Sequence, residues 1–120
     1  MKTHKDLDAW KHAMDLVTEI YSVTTSFPKE ELYGLTSQMR RSVVSIPSNI
    51  AEGAARKSDR EMSKFLHISL GSIAELETQV IISERLSYLS GDQSTPLLVK
   101  IKKVSQVLQG LTRSIESNIH

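Results

Sequence analysis

The chain has no cysteine. That excludes disulfides, thiolate zinc sites and a cysteine nucleophile, and it fits a reducing cytoplasm. Aromatic residues make up only 5%, too few to lead one to expect stacking platforms for single-stranded nucleic acid. The five glycines are scattered, with no G-x-G-x-x-G or Walker spacing, so no phosphate-cradling loop is expected. No apolar run approaches the roughly 18 residues of a membrane span. The N-terminus leads into an amphipathic pattern rather than the apolar block of a signal peptide. Neither sign of charge dominates: 15 Lys and Arg stand against 14 Asp and Glu, a net +1. Any nucleic-acid surface must then be a local patch. No strand-period segment, internal repeat or low-complexity linker occurs.

What is present is helical periodicity. The 120 residues suffice for one domain with one core, residues 1–120. A first helix is expected from near Thr3, capped with Asp6, with Leu7, Trp10, Met14, Val17 and Tyr21 on one face. Phe27-Pro28 ends it. A second runs from about Leu35 to Ala55 on a stripe of Leu35, Met39, Val43, Ile46 and Ile50. Pro47 lies inside it and is expected to bend it, or to split it in two, because the ring clashes with the Val43 carbonyl. Ser45, Ser48 and Asn49 stand near enough to repair the freed carbonyl.

The third helix has the clearest start, the capping box Ser58-Asp59-Arg60-Glu61. It is expected to run to about Leu89, with Gly91-Asp92 as its stop. One seam, Met62, Leu66, Ser69, Ile73, Leu76 and Val80, suits a bundle core. A second, Ile68, Ser72, Glu75, Gln79, Ile82 and Leu86, is half apolar and suits a subunit contact. Gly71, Ser72 and Ala74 are small enough for another helix to come close. A fourth helix is expected from Thr95-Pro96 on Leu97, Ile101, Val104, Leu108, Leu111 and Ile115, with Gly110 marking a close contact. The sum is an all-α, antiparallel up-down-up-down four-helix bundle, its second helix bent at Pro47.

Chemistry is harder to find. A di-metal carboxylate site in a bundle needs Glu-x-x-His, and no glutamate here has a histidine three residues on. His4, His12, His67 and His120 show no ligand pairing, and His67 falls outside both seams, as a solvated side chain would. No serine has the partners of a triad. Glu75 and Glu77 are two apart on a helix and point to different faces. Neither a metal nor a cofactor is expected, and no catalytic residue.

The basic residues Arg40, Arg41, Arg56, Lys57, Arg60 and Lys64 lie along the second helix and the start of the third, diluted by Glu52, Asp59 and Glu61. They read either as a solvated, ion-paired face or as a phosphate-contacting rim. On the first reading Arg40 and Arg41 pair with glutamates such as Glu52 or Glu75 at subunit contacts, and the protein is a structural or protein-interaction module.

One long stretch is more specific. Phe27-Pro28, Glu31, Tyr33-Gly34-Leu35-Thr36, Gln38 and Arg40-Arg41 lead into Ser45-Ile46-Pro47, Asn49-Ile50-Ala51-Glu52-Gly53. This resembles the four-helix-bundle family of 23S rRNA intervening-sequence proteins, with Pro47, Asn49, Glu52 and Gly53 in its central motif. Leu7, Trp10 and Ala13-Met14 fit the same pattern, as do Phe65-Leu66, Gly71-Ser72 and Glu75-Leu76-Glu77-Thr78. Ser42 departs from it, standing where alanine is usual. The resemblance implies a small bacterial cytoplasmic protein without enzymatic activity, an antiparallel bundle that assembles into a homopentamer. The family's setting, inside insertions of the 23S rRNA gene, taken with the basic cluster, leads to the expectation of rRNA or a ribonucleoprotein as a partner reached through the basic rim; on composition, no membrane is expected.

Overall fold

The computed structural model describes residues 3–119, so His120 lies outside the described residues. Four α-helices follow one another: α1 (Asp8–Thr24), α2 (Leu35–Ala54), α3 (Asp59–Arg85) and α4 (Gly91–Glu116). Single 3-10 turns, His4–Asp6 and Lys29–Glu31, precede α1 and α2. Each helix packs on the next, and α4 closes against α1. With such short connections this is the up-down-up-down bundle that the periodicity predicts. It measures 48 × 24 × 23 Å.

The core stripes of α2, α3 and α4 are the expected ones. Met39, Val43, Ile46, Ile50, Leu66, Leu76, Val80, Ile101 and Leu108 are all fully buried. The stripe expected for α1 is displaced. Its buried residues are Ala9, Ala13, Leu16, Ile20 and Thr24. Leu7, Trp10 and Val17 pack at the edge, while Met14 and Tyr21 face outward. Two alanines attract little notice in an apolar pattern, yet short side chains are what let neighbouring helices approach.

Helix ends show where local chemistry overrode pattern. The Thr3–Asp6 capping box exists, but it heads the 3-10 turn. Extended backbone at Leu7 then interrupts the helix, and α1 starts at Asp8. Ser58 caps α3 as expected, accepting from the Glu61 N–H at 3.2 Å. The helix then stops at Arg85, short of Leu89. Tyr88 N–H bonds to the Ser83 carbonyl and Ser87 N–H to that of Glu84, both at 2.9 Å. This is a Schellman stop in which Ser87, with φ 63°, takes the left-handed position usually given to glycine. Gly91, expected as the stop, instead opens α4. Ser90 and Gln93 form a reciprocal capping box there, and Pro96 lies inside the helix rather than at its first position.

Helix α2 runs unbroken through Pro47, so it is one helix and not two. Side chains bond to carbonyls just before the proline. Asn49 Nδ2 donates to the Ser45 carbonyl at 2.8 Å, and Ser69 Oγ, from α3, donates to that of Ile46 at 2.9 Å. Gly53 explains the tight packing that follows. A Cβ there would stand 3.0 Å from Phe65 Cβ and 3.3 Å from the Met62 carbonyl oxygen. The sites where small residues suggested a close approach are open: nothing lies within 4 Å of a Cβ at Gly71, and only the Arg113 guanidinium end, at 4.0 Å, near one at Gly110.

Helix α3 is long enough, with a mean hydropathy of 1.2 over its best window, to cross a membrane by length and composition. Polar residues punctuate it, so it contains no uninterrupted apolar run of that length. In the bundle Leu66, Ile73, Leu76 and Val80 are instead core residues.

The two glycines therefore separate under substitution. Gly53→Ala should destabilise the protein by about 1 kcal/mol, overpacking of about 1–3 kcal/mol being partly offset by the higher helix propensity of alanine. Gly110→Ala should stabilise it by up to about 1 kcal/mol. Urea unfolding of the two variants checks the opposite signs.

Candidate nucleic-acid interface

The six basic residues do not form one rim. At 1.5 Å rise per residue, α2 extends roughly 20 Å from Arg41 to its end at Ala54, and Arg56 lies just beyond. Arg40 and Arg41 lie in the first half of α2, beside the end of α1. Arg56, Lys57, Arg60 and Lys64 gather at the α2–α3 corner, at the opposite end of α2.

Arg40 and Arg41 are neighbours in sequence, and a helix turns about 100° between them. Arg40 points to α1. Its Nε donates to Thr24 Oγ1 at 3.0 Å, and its Nη2 reaches the Tyr21 carbonyl at 3.5 Å. Its guanidinium lies over the Tyr21 ring, 4.7 Å from the centroid. A cation thus sits at the carbonyl-rich end of α1, where the helix dipole favours it. Arg41 is exposed and makes no ion pair among the described residues. Within the chain neither arginine pairs with Glu52 or Glu75. Glu52 instead holds Arg56, 2.7 Å away and one turn on.

At the corner, Arg56 also lies over the Phe65 ring at 5.0 Å, with the Lys64 ammonium 5.7 Å from the same ring. Lys57 is exposed and unpaired among the described residues. Glu52, Asp59 and Glu61 lie close by in sequence, so this patch is mixed in sign.

Two grooves flank Arg41. Between the end of α1, the α1–α2 connection and α2 is a groove of 660 Å³ lined by Tyr21, Leu32, Tyr33, Thr36, Ser37, Arg40, Arg41, Val44 and Ser45. None of these residues is acidic. Tyr33 is 93% exposed. Between α2 and α3 is a groove of 360 Å³ lined by Gln38, Arg41, Ser42, Ser45, Ser72, Glu75 and Gln79. Arg41 and Ser45 belong to both.

The second seam of α3 divides. Ser72 is buried and donates to Ser45 Oγ at 2.9 Å, so it serves the bundle rather than a surface. Gln79 is 9% exposed, and its side-chain oxygen has no hydrogen-bond partner. Ile68, Ile82 and Leu86 are exposed, and so is Glu75.

Pattern reading missed two polar ties. Glu31 caps α2, its Oε1 accepting from the Leu35 N–H at 3.1 Å, while Oε2 accepts from the Tyr88 hydroxyl at 3.0 Å. That bond, with burial and the charges of Glu31 and Glu30, raises the Tyr88 pKa. At the other end, His67 is exposed yet not merely solvated. Its Nε2 is 2.9 Å from Glu116 Oε2, which also accepts from Ser63 Oγ at 2.8 Å. The histidine bond first, then that of Ser63, hold the Glu116 carboxyl below its ordinary range, against an opposing desolvation. No group of three or more His, Asp or Glu that could hold a metal occurs among the described residues.

Residues 5–110 match the model of a family described as 23S rRNA-intervening sequence protein. Among solved structures, the fold is similar to a protein of unknown function from the S23 ribosomal protein family of Bacteroides thetaiotaomicron. That match has a TM-score of 0.78 at 19% identity, over 87% of this chain and 97% of the other. No curated protein has a significantly similar sequence.

Replacement should separate the adjacent arginines. Arg40→Ala is expected to cost about 1–2 kcal/mol through its lost bonds to α1, and Arg41→Ala less than about 0.5 kcal/mol, read by denaturant unfolding. Glu116 should act at acid pH. Because its native pKa is depressed, its contribution is fully present above the unfolded carboxyl pKa of about 4.3 and is lost as pH falls through the native value. Thermal melts from about pH 6 to pH 3 should show a shallower acid decline in Glu116→Gln than in the parent protein.

Proposed function

The chain belongs to the 23S rRNA-intervening sequence protein family, and from that premise we propose a cytoplasmic, non-enzymatic bundle that self-assembles and binds structured RNA or a ribonucleoprotein surface. The observation that carries the RNA half is the pair of exposed cations without carboxylate partners, Arg41 and Lys57, each beside a ring-stacked arginine. A guanidinium or ammonium that is not ion-paired contacts a phosphate without first breaking a protein bond. Such contacts position a duplex and carry little sequence information. In a chain of net charge +1 one such patch is weak. Copies arrayed around an assembly would add their contacts on one RNA.

The assembly half rests on the outer face of α3. Ile68, Ile82 and Leu86 stand exposed along it. Between them the Gln79 oxygen is buried without a donor. Three large apolar side chains standing out on one helix face are what a second subunit would take from water. Five subunits is the number implied by the family resemblance.

Binding to a structured fragment of 23S rRNA should weaken with salt. Removing Arg56, Lys57 and Lys64 together should reduce the slope of log K against log salt by roughly 0.7–0.9 per lost phosphate contact. An affinity indifferent to salt, or unchanged in the triple variant, refutes RNA binding by this corner. Sedimentation as a monomer at micromolar protein refutes the assembly.

A further inference from the structure

Low aromatic content argues against a stacking surface, but the fold brings two of the three tyrosines together with two arginines. Tyr21, Tyr33, Arg40 and Arg41 all line the 660 Å³ groove between the end of α1 and α2. We propose that this groove holds one unpaired nucleotide of a bound RNA, its base against Tyr33 and its phosphate at Arg41. The inference rests on the RNA reading above and specifies which part of an RNA the groove takes.

Charge is the first argument. In a chain with 15 basic and 14 acidic residues, this groove is lined by two guanidiniums and no carboxylate. The nearest acid along the chain, Glu31, is occupied by the Leu35 N–H and the Tyr88 hydroxyl. The occupant favoured here is therefore anionic. The α2–α3 groove on the other side of Arg41 is lined by Glu75 as well, whose carboxylate disfavours an anion there and directs a phosphate to the α1 side.

The second argument is shape. Tyr33 is 93% exposed, a ring held out on the α1–α2 connection, and Leu32 beside it is half exposed. A flat apolar partner would take both from water. Arg40 is already fixed by Thr24 and the Tyr21 ring, so its positive charge is positioned before anything binds. Arg41, with no ion pair, can close on a phosphate, for which a guanidinium offers a two-pronged match. The volume lies within the range of small-molecule sites, enough for one nucleotide and not for a duplex. Aromatic ring, guanidinium and lack of acid together match a base joined to a phosphate, as in the stacking sites of single-strand binders.

Anisotropy titrations of the full-length protein in its assembled form test this with two probes: an oligoadenylate RNA of about eight nucleotides and an RNA duplex of about 16 base pairs. Tyr33→Ala should weaken oligoadenylate binding about tenfold, since stacking is worth ~1–3 kcal/mol per base, and leave duplex binding within about twofold. Tyr33→Phe keeps the ring and should retain the affinity. Arg41→Ala should weaken oligoadenylate binding and lower its salt slope by about 0.7. If both probes bind in a salt-dependent way and Tyr33→Ala changes neither, the nucleotide site is overturned while the broader RNA reading stands. If Tyr33→Ala instead alters sedimentation, the groove belongs to a second copy of the chain and the proposal fails. If the parent protein binds neither probe at low salt, the RNA reading falls and this site with it.

Discussion

At Gly53 the helices α2 and α3 meet with no room for a methyl group, the Phe65 Cβ and the Met62 carbonyl standing where one would be. The contact is rigid on both sides, because backbone and a Cβ cannot rotate away as a side-chain end can. It sets the spacing of the longest interface in the bundle. From it, further along the same two helices, Ser69 reaches the Ile46 carbonyl and Ser72 reaches Ser45 Oγ. Both bonds reach residues just before Pro47, in a helix whose proline removes one backbone donor. The tight glycine, the proline and the serines therefore form one strip. A proline inside a helix is tolerable where a neighbouring helix lies close enough to bond the backbone around it. Asn49 bonds the Ser45 carbonyl from within α2, so these side chains tie down the backbone beside the proline, whereas the carbonyl deprived of its donor is that of Val43.

That strip is also why much of the fold was legible and part of it was not. Apolar stripes at steps of three and four mark α2, α3 and α4 because those helices bury large side chains. In α1 the inner face is partly alanine, and the eye follows Met14 and Tyr21 to the wrong side. Stops and starts fared worse. Gly91 reads as the end of α3, but Ser87 adopts the left-handed geometry instead, and Gly91 sits at the first position of α4 behind the Ser90–Gln93 box. Pairing across helices could not be read at all. His67 and Glu116 are 49 residues apart, and Tyr88 and Glu31 are 57 apart, so no local pattern connects them.

The candidate interface shows the same limit. Sequence placed six cations on one rim. The fold separates them into two groups and assigns different work to neighbours. Arg40 closes the end of α1, and Arg41, a hundred degrees around the helix, is left to solvent between a groove lined by no acid and one that Glu75 also lines. A run of basic residues on a helix is thus not one feature but as many as there are faces. The resemblance of the central motif to a family was legible in full. It identifies the fold more than the chemistry, because the same motif residues build the α2–α3 strip.

Glu31 has a consequence for how the molecule opens. One of its oxygens caps the start of α2, and the other holds Tyr88, whose ring in turn lies 5.4 Å from that of Phe27. The α1–α2 and α3–α4 connections, far apart in the chain, are thus joined through a single carboxylate. Local fluctuations of folded proteins occur in cooperative units rather than residue by residue. At this end of the bundle the two connections are tied to one another, so loosening the Glu31–Tyr88 bond would loosen both. The loop that carries Tyr33 is therefore anchored from behind by the far end of α3.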